Sequence, residues 1–158
     1  MIIGVISDSH DNIEYLEEAL TRLDSCDLIL HCGDVSGQEA AQVLAEHKVV
    51  VHVVQGNTDT FSTDDLDGVV YHEGSAELTL DGQEVFMTHF PEIAQIAAMS
   101  PSFDVVFHGH THVQNDLVVD GTHMVNPGEL EGRTPHTGYA VYDTEDNSIT
   151  LETLFLER

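Results

Sequence analysis

Apolar residues in the first third of the chain follow two periods, which predict strands alternating with helices. Strands that are buried on both faces read as largely apolar runs, and such runs occupy positions 2–7, 27–31 and 49–54. Between the runs, apolar residues recur at every third or fourth position, which predicts two helices. Asn12 is suited to cap the first helix, and Ser36 with Glu39 has capping-box spacing before the second. This order predicts parallel strands joined by right-handed crossovers.

The rest of the chain is mainly strand-like. Predicted strands occupy positions 69–72, 76–80, 84–88, 105–107, 113–119, 123–126, 139–143 and 149–154. Asp81 and Gly82 form a hairpin signal between two of these strands, and Pro91 suits the first turn of a helix that runs to about position 99. We therefore expect two packed sheets flanked by helices, in one α/β domain over residues 1–158.

The charge balance is strongly acidic. The 158 residues include 29 Asp and Glu against 4 Lys and Arg, a formal net charge of −25, yet 41% of the residues are hydrophobic, too many for a disordered acidic tail. The basic residues are scattered, so no basic stripe is available for a nucleic-acid polymer, and polymer binding is disfavoured. Because salt would relieve the self-repulsion of so many negative charges, we expect a halophilic host.

Two further features bear on the cellular setting. No apolar run approaches the length of about 18 residues that spans a membrane, and Asp8 interrupts the first apolar stretch too early for a signal peptide. Cys26 and Cys32 have neither a CxxC spacing nor a secretory context, so we expect buried thiols rather than a disulfide. We expect a cytoplasmic protein with no membrane partner, and the sequence is compatible with a homo-oligomer.

Five short polar stretches each follow a predicted strand, where an α/β sheet places its ligand crevice. They are Asp8-Ser9-His10, Gly33-Asp34, Gly56-Asn57-Thr58-Asp59, Thr88-His89 and Gly109-His110-Thr111-His112. Their candidate ligands are two carboxylates, one carboxamide and four imidazoles, a mixture that favours Mn²⁺, Fe²⁺, Co²⁺, Ni²⁺ or Zn²⁺ over Ca²⁺ or Mg²⁺. Seven ligands exceed what one ion with an open position needs, and they suit two ions.

The five stretches resemble, in order, the pattern D-x-H, G-D, G-N-x-D/E, H and G-H-x-H of the calcineurin-like metallophosphoesterases, especially their small archaeal and bacterial phosphodiesterases. The resemblance spans nearly the whole chain and implies a four-layer α/β/β/α sandwich of two mixed β-sheets flanked by helices. The metal ligands that it implies are Asp8, His10 and His112 for one ion, Asn57, His89 and His110 for the second, and Asp34 as a bridge. The residues that it assigns to catalysis are Asp34, His10 and Asn57.

The activity implied by this resemblance is hydrolysis of a small phosphodiester. Two divalent transition-metal ions, expected to be Mn²⁺ ahead of Ni²⁺, Fe²⁺, Co²⁺ or Zn²⁺, would activate a water molecule for in-line attack on phosphorus. Many family members have His after the Asn of the third stretch, whereas this chain has Thr58, which has no proton to donate at a useful pKa and so favours activated substrates. Two alternatives stay open: a catalytically weak scaffold of the same fold, like the retromer subunit, and a phosphomonoesterase.

Residues other than the seven candidate ligands are expected to support the site. Asp59 and Asn12 are candidates for contacts behind the ligands. The turn Asn126-Pro127-Gly128 also matches the family and is followed by Glu129, with Arg133 nearby, so it is expected to line the substrate mouth. If Glu129 faces the site, its charge would penalise a doubly charged monoester more than a singly charged diester.

Overall fold

The computed structural model describes residues 1–157, so Arg158 lies outside the described residues. The strands are β1 (Ile2–Ile6), β2 (Leu28–His31), β3 (Val51–Val54), β4 (Val69–His72), β5 (Ser75–Leu80), β6 (Gln83–Thr88), β7 (Val105–Phe107), β8 (Asn115–Val119), β9 (Thr122–Asn126), β10 (Gly138–Asp143) and β11 (Ser148–Thr153). The helices are α1 (Ile13–Arg22), α2 (Gln38–Ala45) and α3 (Pro91–Ala98). Each element agrees with its prediction to within about two residues at either end.

The strands form two mixed sheets. The first sheet has the order β11-β10-β1-β2-β3-β4, in which β1, β2 and β3 pair in parallel, as predicted. In addition, β4 pairs in parallel with β3, and β10 pairs antiparallel with β1. The second has the order β5-β6-β7-β9-β8, with a parallel centre and antiparallel outer pairs. The predicted hairpin joins β5 to β6, and both of its turn residues, Asp81 and Gly82, have positive φ.

Three apolar layers hold the sheets and helices together. Leu16 and Leu44 are buried between the first sheet and its helices α1 and α2. Phe107 and Tyr142 are buried between the two sheets, with their ring centroids 5.7 Å apart. Ala98 is buried where α3 packs on the outer face of the second sheet. The order of layers is therefore helix, sheet, sheet, helix, which confirms the predicted α/β/β/α sandwich.

The helix starts confirm one prediction and correct another. Asn12 caps α1, because its side chain accepts a hydrogen bond from the backbone N–H of Tyr15 at 3.4 Å. The predicted capping box of Ser36 and Glu39 is wrong, since the N-cap of α2 is Gly37, which has no side chain to cap the helix and whose backbone N–H donates to Oδ1 of Asp11 at 2.8 Å. The hydroxyl of Ser36 instead contacts Thr58 in the loop after β3, and Ser36 has a φ of 83°.

The structure also bears on the two cysteines and on the prediction that no segment spans a membrane. Cys26 and Cys32 are free and buried, which confirms that they are separate thiols. The pKa of the Cys32 thiol is raised far above its ordinary value by burial, so this side chain behaves as an apolar group. Within residues 1–157, each helix falls short of the length and apolar character that crossing a bilayer would require.

Candidate metal centre

The predicted site residues gather at one edge of the sandwich, beyond the carboxyl ends of parallel strands. The first sheet contributes them after β1, β2 and β3, and the second sheet contributes them after β6 and β7. Because both sheets end at this edge, residues far apart in sequence meet there. The residues brought together are Asp8, His10, Asp34, Asn57, His89, His110 and His112.

One cluster consists of Asp8, His10 and His112. Oδ1 of Asp8 lies 3.2 Å from Nε2 of His112 and 3.6 Å from Nε2 of His10, and the two nitrogens are 3.3 Å apart. Asp8 is fully buried, and no hydrogen-bond partner for its Oδ1 is found in residues 1–157. A buried carboxylate oxygen without a partner is costly unless a cation compensates it.

The second cluster consists of Asp34, His89 and His110, with Asn57 against it. Nε2 of His89 lies 3.3 Å from Oδ2 of Asp34 and 3.2 Å from Nδ1 of His110. Oδ1 of Asn57 lies 3.1 Å from Nε2 of His89 and 3.2 Å from Nδ1 of His110. Nδ1 of His89 donates to the backbone carbonyl of Cys32 at 2.7 Å, which turns Nε2 toward the cluster as a free acceptor.

Asp34 stands between the two clusters. Its Oδ2 lies 3.3 Å from Nε2 of His89 and 3.5 Å from Nε2 of His10, so a single oxygen faces nitrogens of both clusters. Its Oδ1 is occupied, because it accepts a hydrogen bond from the backbone N–H of Thr58 at 2.9 Å. The geometry therefore suits a bridge through Oδ2 alone rather than one oxygen for each ion.

These separations fit divalent metal ions. Nitrogen and oxygen ligands lie about 2.0–2.2 Å from such an ion, so two ligands of one tetrahedral ion are about 3.3–3.6 Å apart. The donor atoms of the first cluster are 3.2 to 3.6 Å apart. A cation there would also compensate Oδ1 of Asp8, which is otherwise unpaired among the described residues. The structure thus contains two possible metal-binding clusters of mixed nitrogen and oxygen donors, the chemistry that transition ions prefer.

The backbone of the site is held in an uncommon conformation. Positive φ angles occur at Asp8 (53°), His10 (43°), Asp34 (57°), His110 (71°) and His112 (58°). For a residue with a Cβ, the left-handed region costs about 1–2 kcal/mol. Strain of this kind concentrates at functional sites, where the surrounding structure must impose it.

Hydrogen bonds between the loops impose these angles. The backbone N–H of Asp8 donates to the carbonyl of Gly33 at 3.0 Å, and that of His10 donates to the carbonyl of Asp34 at 3.0 Å. The N–H of His110 donates to Oδ2 of Asp8, also at 3.0 Å. These hydrogen bonds hold the loops after β1, β2 and β7 together, and each of the three loops carries candidate ligands.

Two glycines allow the loops to approach closely. A Cβ on Gly109 would overlap Oγ of Ser7 and would lie 2.5 Å from Oδ2 of Asp8. A Cβ on Gly56 would overlap Oδ1 and the backbone nitrogen of Asp34. At both positions, any larger residue would displace a carboxylate of the site.

The electrostatics keep both carboxyl groups ionised. Burial raises the pKa of Asp8, but the neighbouring imidazoles of His10 and His112 outweigh it and hold that pKa well below its ordinary value. Burial likewise opposes ionisation of Asp34, whose pKa is nevertheless lowered, chiefly by the imidazole of His89. The carboxylate of Asp8 in turn raises the pKa of His10 and His112, which favours protons on both rings. A metal ion would replace those protons, since its ligands must be neutral imidazoles.

Asp59 contacts a candidate ligand, as expected, whereas the side chain of Asn12 bonds to Glu131 and Tyr15 and to none of the candidate ligands. The carboxylate of Asp59 accepts hydrogen bonds from the backbone N–H groups of Asp34 at 3.2 Å, Ser36 at 2.8 Å and Gly56 at 2.7 Å. The side chain of Asn12 donates to the carbonyl of Glu131 at 2.8 Å. Asp59 thereby fixes the loops after β2 and β3 behind the carboxylate of Asp34.

Glu129 does not face the site. Its buried carboxylate accepts hydrogen bonds from the N–H groups of Gly132 and Thr134 and from the hydroxyls of Thr134 and Thr137. Burial raises its pKa, and these hydrogen bonds lower it further than burial raises it. The conditional expectation that Glu129 penalises monoesters therefore does not apply.

Glu131 is a neighbour of the site that the sequence reasoning missed. Its Oε2 lies 3.9 Å from Nδ1 of His112, and its Oε1 lies 3.1 Å from Nη1 of Arg133. The pairing joins loops that are distant in sequence, and no periodicity marks it. Its place just after the turn that resembles the family pattern was the available signal.

Known proteins are similar to this chain in sequence. A phosphodiesterase of Methanocaldococcus jannaschii, MJ0936, is 25% identical over 142 residues, which cover 84% of this chain and 86% of that protein. The Bacillus subtilis protein named Probable metallophosphoesterase YsnB is 28% identical over 162 residues, covering 96% of this chain and 89% of that protein.

Solved structures extend the likeness to the whole fold. An archaeal phosphodiesterase matches with a TM-score of 0.84 at 24% identity, over 95% of this chain and 98% of that chain. Vps29 of Entamoeba histolytica, solved with Zn²⁺, matches with a TM-score of 0.69 at 20% identity, over 94% of this chain and 89% of that chain. The family model of the calcineurin-like phosphoesterase superfamily domain matches residues 1–147. The chain therefore belongs to the calcineurin-like phosphoesterase superfamily.

Proposed function

We propose that this protein is a phosphodiesterase that hydrolyses a small phosphodiester at a dinuclear metal centre. The observation that carries the proposal is the position of Oδ2 of Asp34, 3.5 Å from Nε2 of His10 in one cluster and 3.3 Å from Nε2 of His89 in the other. Membership of the superfamily supports phosphoester hydrolysis. One relative of this chain is named as a phosphodiesterase, and this supports a diester as the substrate.

The proposed ligands divide as the two clusters do. The first ion would be held by Asp8, His10 and His112, the second by Asn57, His89 and His110, and both by Asp34. Bound ions would supply Lewis-acid chemistry, by which water becomes a nucleophile near neutral pH and charge on the phosphoryl oxygens is offset. Only two of the seven ligands are anionic, so the centre stays locally positive inside an acidic protein and attracts a phosphodiester.

The chain's own residues position the reacting groups. Asp34 fixes the separation of the clusters, because its Oδ1 is held by the N–H of Thr58 and its Oδ2 is directed between them. We assign His10 and Asn57, one from each cluster, to position the ions that would orient the phosphoryl group. Nucleophilic attack needs no protein nucleophile in this scheme.

Thr58 favours substrates whose leaving group departs without a proton. Its Oγ1 lies 2.9 Å from Oγ of Ser36, and its backbone N–H supports Asp34. A hydroxyl does not donate a proton at a useful pKa, so Thr58 serves the shape of the site rather than acid catalysis. Diesters with a low-pKa leaving group should therefore be hydrolysed fastest.

The cellular setting belongs to the same proposal. We propose Mn²⁺ as the metal, with Ni²⁺, Fe²⁺, Co²⁺ and Zn²⁺ as the alternatives that the same donors bind. We propose a cytoplasmic enzyme of a halophilic host, whose acidic surface excludes nucleic-acid polymers as substrates.

Metal reconstitution with a substrate pair tests the proposal. The chelated protein is loaded with each divalent metal in turn, and hydrolysis of bis(p-nitrophenyl) phosphate and p-nitrophenyl phosphate is followed in molar KCl. We expect metal-dependent hydrolysis of the diester in excess of the monoester. His89→Gln should abolish it, whereas His123→Gln, at an ion pair with Asp116 on β8 and β9, should not.

Other outcomes separate the alternatives. Faster hydrolysis of the monoester would favour a phosphomonoesterase. Binding of two metal ions without hydrolysis of either ester, together with a co-purifying partner, would favour a scaffold. The Vps29 structures are 15 to 22% identical to this chain, and that likeness supports the fold alone.

A further inference from the structure

The segment from Glu129 to Thr137, named the Glu129 loop here, is a preformed structure at the edge of the candidate metal centre. The buried carboxylate of Glu129 holds it together through the hydrogen bonds described above, the closest from Thr137 at 2.5 Å. A Cβ on Gly132, whose φ is 79°, would overlap the ring of Tyr15, so the loop is also packed tightly against α1. The loop therefore presents its outward side chains from a fixed backbone.

Two hydrogen bonds tie this loop directly to the segment that carries the first ligands. The backbone N–H of Leu130 donates to the carbonyl of Asp8 at 3.1 Å. The side chain of Asn12 donates to the carbonyl of Glu131 at 2.8 Å. Arg133, which lies two residues beyond Glu131, is therefore carried by a loop that is fixed to the segment of the first candidate ligands.

A chain of contacts connects Arg133 with the metal centre. Its Nη1 lies 3.1 Å from Oε1 of Glu131, the other oxygen of Glu131 lies 3.9 Å from Nδ1 of His112, and Nε2 of His112 lies 3.2 Å from Oδ1 of Asp8. The Arg133 side chain is 77% exposed. An ion pair at an exposed guanidinium adds little to stability, so Arg133 can leave Glu131 for an incoming anion at little cost.

Arg133 differs from the other basic side chains in where its acidic partner lies. Among residues 1–157, Arg22 is paired with Glu18 on the exposed side of α1 and Lys48 is paired with Asp24, whereas the partner of Arg133, Glu131, lies beside His112 of the candidate centre. A substrate anion that approaches a chain with a net charge of −25 is repelled over most of its surface. A guanidinium beside the metal centre would offset that repulsion for a further anionic group and bind it through two hydrogen bonds.

We propose that Arg133 is a specificity-determining residue that binds a second phosphoryl group of the substrate. The preferred substrate is then a phosphodiester that carries a phosphate monoester on the part of the molecule that lies toward the Glu129 loop. This inference rests on the proposed phosphodiesterase function and deepens it. Glu131 occupies the guanidinium in the absence of substrate and shields it from unrelated anions.

A matched pair of esters tests the role of Arg133. One is the p-nitrophenyl ester of thymidine 5′-phosphate, and the other is the same ester with an added 3′-phosphate. We expect the added phosphate to lower KM by at least about tenfold in the Mn²⁺-loaded protein, because each charge-assisted hydrogen bond to the guanidinium contributes about that factor or more. Arg133→Gln should abolish that difference while kcat for the ester without the 3′-phosphate stays within about twofold of the unsubstituted protein.

The control is Arg22→Gln, which removes the same charge from the paired, exposed position on α1 and should keep the preference. The inference is overturned if the unsubstituted protein has no preference, or if Arg133→Gln keeps it. If neither ester is hydrolysed, the proposed function fails, and calorimetric binding of thymidine 3′,5′-bisphosphate to the Mn²⁺-loaded protein decides the role of Arg133. Binding about tenfold weaker in Arg133→Gln than in Arg22→Gln supports that role, and equal binding overturns it.

Discussion

Asp34 illustrates how a single side chain can organise the candidate centre. Its two oxygens have different tasks, because Oδ1 accepts the N–H of Thr58 and Oδ2 faces His10 and His89. Its backbone N–H is in turn held by Asp59. The carboxylate cannot rotate without losing one of these contacts, so its free oxygen is directed before any ion binds.

Replacing this carboxylate should abolish turnover. In Asp34→Asn, an amide NH₂ would face imidazole nitrogens or the N–H of Thr58, and the negative charge between the clusters would be lost. Since loss of an outer contact alone typically costs about 10–100-fold in activity or metal affinity, we expect turnover of the diester to fall more than about 100-fold. Asp116→Asn, at the ion pair with His123, is the matched control. Unchanged turnover in Asp34→Asn would remove the bridging role.

Glu129 should make a pH-dependent contribution to stability. Its pKa is lowered in the folded chain from an ordinary value of 4.5, so its stabilising effect is complete above that pH and is lost as the pH falls through the lowered value. Glu129→Gln places NH₂ against donors, and we expect unfolding free energy at neutral pH to fall by about 1.5–3 kcal/mol. The deficit, measured by urea unfolding of the chelated protein in molar KCl, should shrink below pH 4.5.

The control for that prediction is Glu145→Gln, in the exposed turn between β10 and β11. It should change the unfolding free energy by less than about 0.5 kcal/mol. A deficit in Glu129→Gln that stays constant from neutral pH to well below pH 4.5 would contradict the assigned role of the carboxylate.

At the scale of the elements, the site depends on how closely the loop after β7 approaches the loop after β1. Gly109→Ala would place a methyl group on Oγ of Ser7 and against Oδ2 of Asp8. We expect the affinity for Mn²⁺, measured by calorimetry, to fall more than about tenfold, because the loop that carries His110 must move.

Gly121→Ala is the control for this substitution. Gly121 has a φ of 89°, and a Cβ at this position would have no atom within 4 Å, so a methyl group there strains the backbone without touching the site. We expect a loss of about 1 kcal/mol in stability and unchanged metal affinity. Equal metal affinities in the two variants would show that the approach of the loops does not matter for the site.

The elements also mark where sequence reasoning succeeds and where it fails. Strand ends and polar stretches could be predicted locally, and parallel pairing then brings the loops after β1, β2 and β3 to one edge. The meeting with β6 and β7 depends on how the second sheet packs on the first, and only the resemblance to a family supplied it. The sequence around Ser36 is typical of a helix cap, but the hydroxyl of Ser36 contacts Thr58 in another loop instead of the helix. Such a contact between loops has no local signal in the sequence. The contact of Glu131 with His112 could not be predicted for the same reason.

At the scale of the whole molecule, the net charge of −25 should make stability depend on salt. Raising KCl from about 0.1 M to about 1 M shortens the Debye length from about 10 Å to about 3 Å and screens most of the repulsion. We expect the midpoint of thermal unfolding to rise over this range. Tetramethylammonium chloride should have a similar effect, because screening needs no specific cation. An unchanged midpoint in both salts would contradict halophily.

The central claim is that side chains from both sheets converge on two metal ions that share one carboxylate. Anomalous diffraction from crystals of the Mn²⁺-loaded protein tests it directly. We expect two peaks about 3.5–4 Å apart, one within the cluster of Asp8, His10 and His112 and one within that of Asp34, His89 and His110. Full occupancy of other positions, with no peak at either cluster, would contradict the account.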